Sequence, residues 1–240
     1  MAIDTAESPR RARGRPRSFD RSAALGRATQ VFWECGYEGA SFDGLIAAMG
    51  ISASSFYNAF GSKKRLYQEA TETYLAHVSE WFASALGAAS DAKTAFHQLL
   101  KVAAHEFTQD NMPTGCMISL ACTNVPPALA SLQDMMAGYR QAAQAAMADR
   151  IRRGIDEGDV PRGTDVEALA AFFSSLARGM VVQARDGAPR ERLLEIVEIG
   201  MRAWPAAPTR PQQPHARQRG DERAIEQKRS NSTRRLPRRA

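Results

Sequence analysis

The chain has 240 residues, of which 44% are hydrophobic and 24% charged, with a formal net charge of +6; these values are ordinary for a globular protein. No apolar run approaches the roughly 18 residues of a membrane helix, and the N-terminus lacks the apolar core of a secretory signal. A cytoplasmic chain without membrane contact is therefore expected. The charge is unevenly placed. Residues 1–20 carry five arginines against three acids, and residues 205–240 carry ten basic residues against three acids, whereas the remainder is slightly acidic. Basic ends on a near-neutral body suit a polyanionic partner such as DNA. Cys35, Cys116 and Cys122 form no CxxC and have no histidine at zinc-ligand spacing, so neither a metal nor a cofactor is expected.

Residues 1–18 read as a disordered basic arm. Asp20 caps a helix to about Gly36, with Ala24, Ala28, Val31 and Phe32 on one face. Ser41 opens a short helix that ends at Gly50, and Ser52 opens a second to about Ala59. Ser62 starts a longer helix towards Leu86. Asp91 begins the next, which Asn111-Met112-Pro113 interrupts. The apolar run Gly115 to Thr123 predicts a short helix, and Pro126-Pro127 a long one to Arg153. Helices over about 165–185 and 190–203 complete the body. Strand signals are nearly absent. The fold class is all-α with about nine helices: a helix-turn-helix domain over 19–66 and a larger helical domain over 67–204. From Pro205 the composition shifts to Pro, Gln, Arg and Ser, too poor in apolar residues to offset its ordering entropy, so 205–240 is expected to be a disordered basic tail.

The two short helices around Met49-Gly50-Ile51 have the form of a helix-turn-helix, whose second helix enters the major groove. That helix offers Ser52, Ser54, Ser55, Tyr57 and Asn58 to a duplex, while Phe56 and Phe60, four apart, lie on its packed face. Ser41, Ser52 and Ser62 each stand at a helix start, where free N–H groups favour an anion. Lys63 and Lys64 add charge beside the last of these. The arm's Arg-Gly-Arg-Pro-Arg run places Arg13, Arg15 and Arg17 for a narrow minor groove.

The segments GRPRSFD and ALGRATQVFWECGYEGASFDGLIAAMGISASSFYNAFGSKKRLYQEA, covering about residues 14–70, closely resemble the DNA-binding domain of the TetR/AcrR family of transcriptional repressors. The resemblance implies that Ser41 and Lys63 bind backbone phosphate and that Ser54, Ser55, Tyr57 and Asn58 lie at the groove. Ala59 stands where many members carry histidine, and Ser54 where glycine is frequent. The resemblance further implies a second domain that dimerises through its last two helices and holds a small-molecule pocket.

Helical spacing nominates Leu169, Phe173, Leu176, Ala177, Met180, Leu193, Ile196, Val197, Gly200 and Trp204 for a homodimer interface, with packing inside one chain as the competing use. Pocket candidates are Phe82, His97, His105, Phe107, Met112, Cys116, Met117, Met135, Tyr139, Phe172 and Met180, although such stripes more often form core. Cys116 follows Gly115 at an expected helix N-terminus, a setting that activates a thiol.

No Ser/His/Asp pattern in context, no phosphate-binding Gly-rich loop and no HExxH argue against an enzyme. The expected function is a dimeric repressor, bound to a palindromic operator in double-stranded DNA and released by a small-molecule inducer. A thiol-based electrophile or redox sensor acting through Cys116 is the alternative, and an architectural DNA-binding protein a third.

Overall fold

The computed structural model describes residues 19–206, which form one compact unit. Among the described residues there are eight α-helices and no strand: α1 (Arg21–Gly39), α2 (Phe42–Met49), α3 (Ala53–Phe60), α4 (Lys63–Ala88), α5 (Ala92–Glu106), α6 (Ala130–Glu157), α7 (Val166–Arg185) and α8 (Arg190–Gly200). Short 3-10 turns precede α6 and follow α8. None of these helices is long and apolar enough to cross a membrane. The expected arm with Arg13, Arg15 and Arg17, and the expected tail from residue 207 on, lie outside the described residues.

Helix starts follow the capping residues. Asp20, Ser41, Ser52, Ser62, Asp91 and Asp165 each accept a hydrogen bond from the backbone N–H three residues on. Each thereby satisfies one of the free donors of a first turn. The break in α1 falls at Gly36, whose φ of 72° takes the chain out of helical geometry.

Two apolar clusters organise the unit. The first joins α1, α2 and α3 to the N-terminal half of α4 through Phe32, Phe56, Phe60, Leu66, Tyr67 and Tyr74. The second joins the C-terminal end of α4 to α5, α6, α7 and α8. Within it Phe96, Phe173 and Trp204 pack as mutually tilted rings with centroids 5.0 to 5.5 Å apart. At about 1.5 Å per residue, α4 is about 39 Å long, enough to serve both clusters.

One expected element is absent. Residues 115–123 form successive turns rather than a helix. Gly115 has φ 82° and Cys122 φ 51°, so left-handed residues interrupt the run at both ends. The carbonyls of Ile118 and Ala121 accept from the Arg140 guanidinium, both at 3.0 Å, instead of pairing along a helix. Met117, Ile118, Ala121 and Cys122 are buried in the first cluster, beside Leu132 and Met136 of α6. Burial outside the local segment thus overrides a helical sequence.

Near the end of α6, Gly154 is closely covered by the residues that follow the helix and by the start of α5. A Cβ there would meet Asp159 Oδ1 at 2.6 Å, Val160 Cγ2 at 2.7 Å and Ala92 Cβ at 2.9 Å. The Asp159 carboxylate also accepts from the Ala92 N–H at 3.3 Å, at the start of α5. Gly154→Ala should lower stability by about 1–3 kcal/mol despite the better helix propensity of alanine. A urea midpoint equal to or above that of the unaltered chain would contradict this packing argument.

Candidate functional site

The α2–α3 turn is set by Gly50. Its φ of 68° is left-handed, and its N–H reaches the Ala47 and Ile46 carbonyls. The Ile51 N–H also donates to Ile46, at 3.2 Å. These bonds close the end of α2 in the manner of a glycine C-cap and fix the angle at which α3 leaves. Phe56 and Phe60 are fully buried, which locks α3 against the cluster beneath it. Its other face is left to solvent: Ser52, Ser54, Tyr57 and Asn58 are exposed and Ser55 half-buried. Tyr57, 57% exposed, lies stacked over Phe42 at 5.4 Å, so its ring is held while its surface stays accessible.

The serines divide their work. Ser52 Oγ lies 3.0 Å from both Ser54 Oγ and Ser55 Oγ and accepts from the Ser55 N–H. Ser41 and Ser62 cap α2 and α4 through Gly44 and Arg65. All three ends leave further N–H groups without intrahelical partners, together with the positive end of a helix dipole. Lys63 stands 4.6 Å above the Tyr37 ring. Burial lowers its pKa, with Glu38 acting in the opposite direction.

Lys64, expected to add charge beside it, donates from its Nζ to Ser131 Oγ of α6 at 2.8 Å. Tyr37 and Phe42, the supports under Lys63 and Tyr57, were not among the expected site residues. Their sequence signal is an aromatic placed next to a helix break, after Gly36 and after Ser41.

A second candidate site is an apolar cavity of about 120 Å³ between α4, α5, α6, α7 and the 116–119 segment. Phe82, Phe107, Cys116 and Tyr139 line it as expected, and Ala177, expected at a dimer interface, lines it too. The remaining pocket candidates lie elsewhere because each points from another face of its helix or loop. His105 is exposed near Glu106, and His97 pairs with Glu198 at 2.6 Å. Met112 borders a groove between α1 and α4. Met117 and Met135 pack in the first cluster, and Met180 is buried in the second. Phe172 is 41% exposed. Trp81, Arg140, Ser174 and Arg178 line the cavity without having been singled out. The two arginines stand out in the sequence as lone charges within "MMAGYRQAA" and "SSLARGMVV".

The dimer candidates also divide. Phe173, Met180, Leu193, Val197 and Trp204 are buried within the single chain, and Gly200 lies beneath the Leu176 side chain. They serve the chain's own core. Leu169, Leu176 and Ile196 remain half-buried, while the outward face carries Phe172, Val182 and Ile199, each at least 41% exposed.

The three thiols are graded by burial: Cys35 exposed, Cys116 intermediate, Cys122 buried. Cys116 does not open a helix, so the expected helix-end activation is absent. Tyr67 and Tyr74, seven residues apart on α4, face the two loop cysteines. Tyr67 Oη lies 4.0 Å from Cys122 Sγ, and Cys116 is the thiol whose proximity acts on the Tyr74 hydroxyl. Burial first, then the neighbouring thiols, pushes both tyrosine pKa values up. Burial likewise raises that of Cys122. Native-state alkylation with iodoacetamide should modify Cys35 first, Cys116 more slowly and Cys122 only on unfolding. Peptide mass spectrometry showing early Cys122 modification would overturn this order.

Comparison with known proteins bears on both sites. A family model described as "Bacterial regulatory proteins, tetR family" matches residues 24–70, which include α2, α3 and the start of α4. One described as "Tetracyclin repressor-like, C-terminal domain" matches residues 92–197. The HTH-type transcriptional repressor ComR of Escherichia coli is 29% identical over 210 residues, 85% of this chain and 98% of that protein. The HTH-type transcriptional repressor BdcR of Escherichia coli is 26% identical over 180 residues, 75% and 86% of the two chains. A cysteine mutant of the TetR family transcriptional regulator CifR, complexed with 26-bp double-strand operator DNA, is 42% identical with a TM-score of 0.77. That match covers 80% of this chain and all of the CifR chain. With a recognition-type helix seated on a buried aromatic pair, and both halves matched, this chain belongs to the TetR family of transcriptional regulators.

Proposed function

We propose that the protein is a homodimeric repressor that sets two copies of α3 into a palindromic operator and leaves it when a small molecule fills the cavity. The observation that carries this reading is the pairing of faces on α3: Phe56 and Phe60 fully buried, with Ser54, Tyr57 and Asn58 exposed. A rigid back is needed for a helix that must hold its register against base edges. Ser41, Ser52, Ser62 and Lys63 would meet phosphates on either side, and Arg13, Arg15 and Arg17 the adjacent minor groove. The operator complex of CifR and the repressor names of ComR and BdcR support the same role.

Dimerisation is assigned to the outer faces of α7 and α8. Phe172 and Val182 flank Gly179, beside which a Cβ would have nothing within 4 Å. Such a small-residue gap between exposed apolar side chains suits a close helix pair. A two-fold axis there would give two recognition helices a fixed spacing. Occupancy of the cavity would then shift the population between a DNA-competent and a mis-spaced arrangement.

Selection of bound DNA from a random pool should return a palindrome occupied by two chains. Tyr57→Ala and Asn58→Ala should each weaken binding to it by about 1–3 kcal/mol. Lys63→Ala should lower the slope of log affinity against log salt by about one, uniformly across sequences. Sequence-independent coating of DNA would reject the repressor reading in favour of an architectural role.

The position of Cys116 in the cavity wall favours a second reading, release by an electrophile that alkylates this thiol. Quinone-induced operator release lost in Cys116→Ser would support it, and release unchanged by that substitution would remove it.

A further inference from the structure

Resting on the ligand-responsive reading above, we infer that the cavity takes an organic monoanion: a carboxylate on a single aromatic ring or short hydrocarbon chain, held between Arg140 and Arg178. Its walls are largely hydrocarbon, with Trp81, Phe82, Phe107 and Tyr139 supplying the aromatic surface. Arg140 of α6 and Arg178 of α7 are part of this otherwise apolar lining, and among the described residues no Asp or Glu lines the cavity. Among the described residues neither arginine forms an ion pair.

Their partners are neutral. Arg140 Nη1 donates to the Ile118 and Ala121 carbonyls, and Arg178 Nη2 to Ser174 Oγ at 2.8 Å and Gln144 Oε1 at 3.4 Å. These acceptors satisfy N–H groups without neutralising charge. Burial, and then the like charge of Arg178, lowers the Arg140 pKa. The charge of a bound carboxylate would counterbalance both effects, and its two oxygens fit a guanidinium fork. Size sets the rest of the ligand. An apolar cavity of about 150 Å³ accommodates benzene, so about 120 Å³ suits one ring or a chain of similar bulk.

The same arginine connects the cavity to the DNA-binding half. The segment that Arg140 holds through Ile118 and Ala121 is the one whose Met117, Ile118, Ala121 and Cys122 pack in the cluster under α1–α4. A carboxylate competing for Arg140 would loosen that hold, giving the ligand a differential effect on two arrangements of the chain.

The test uses the full chain and calorimetric titration with benzoate, phenylacetate and hexanoate, each against its primary amide. At least one acid should bind once per chain, ten-fold or more tighter than its amide. Arg178→Met should abolish that preference, and Arg178→Lys should keep part of it, with thermal melts establishing that both variants fold. The inference is overturned if amides match acids, if no acid of the set binds, or if the preference survives in both Arg178→Met and Arg140→Met. Operator binding is measured separately by gel shift. Loss of all operator binding with acid preference intact would sink the repressor reading alone. An operator complex released by the amides but not the acids would sink the carboxylate inference alone.

Discussion

The packing of residues 116–122 against Tyr67 and Tyr74 of α4 is the contact on which the arrangement depends. Without it the first cluster would rest on α1–α4 alone, of which α2 and α3, at eight residues each, have little stability of their own. With it, Met117, Ile118, Ala121, Cys122 and the start of α6 complete the same core that buries Phe56 and Phe60. The helix-turn-helix is therefore built partly from residues far along the chain. Cys116, Ile118 and Ser119 also form cavity wall, so the cavity and the first cluster meet in a few neighbouring residues.

The electrostatics separate structural from available charge. Arg150 is only 4% exposed, and its Nε donates to the Leu86 carbonyl at 3.1 Å, which satisfies one of the free acceptors at the end of α4. Glu157 lies 3.8 Å away. That arginine has a carboxylate neighbour and a place in the helix framework. Arg140 and Arg178 border open volume and have none beside them. On the surface, Arg21 pairs with Glu69 at 2.6 Å and covers the Phe60 ring, tying α1 to the back of α3. An exposed pair of this kind, here between α1 and α4, adds little to stability.

On the exposed surface of the helix-turn-helix, hydroxyl groups and aromatic supports have complementary roles. Ser41, Ser52 and Ser62 begin helices whose first turns leave N–H groups free, while Phe42 and Tyr37 pack against Tyr57 and Lys63. A polar surface thereby acquires fixed geometry through neutral groups, with Glu38 the carboxylate that acts on Lys63. Lys64 departs from this pattern, since Ser131 holds it against α6.

The sequence alone determined the helices and the polar face of α3, because both arise from local rules. Capping residues such as Asp20, Ser41, Ser52, Ser62, Asp91 and Asp165 satisfy donors three positions away, and Gly50 marks a left-handed turn. The apolar spacing of Phe56 and Phe60 likewise separates a buried face from an exposed one within two turns. The tertiary structure decided which apolar residues face the cavity, the core or solvent. Phe172, Phe173 and Ser174 are consecutive, yet they fall respectively on the surface, in the core and on the cavity wall. It also decided that 115–123 is not a helix, because long-range hydrogen bonds to Arg140 and burial against α4 outweigh the local preference. Periodicity gives a helix its apolar side; only the neighbours packed around that side determine whether it closes on protein or leaves room for a ligand.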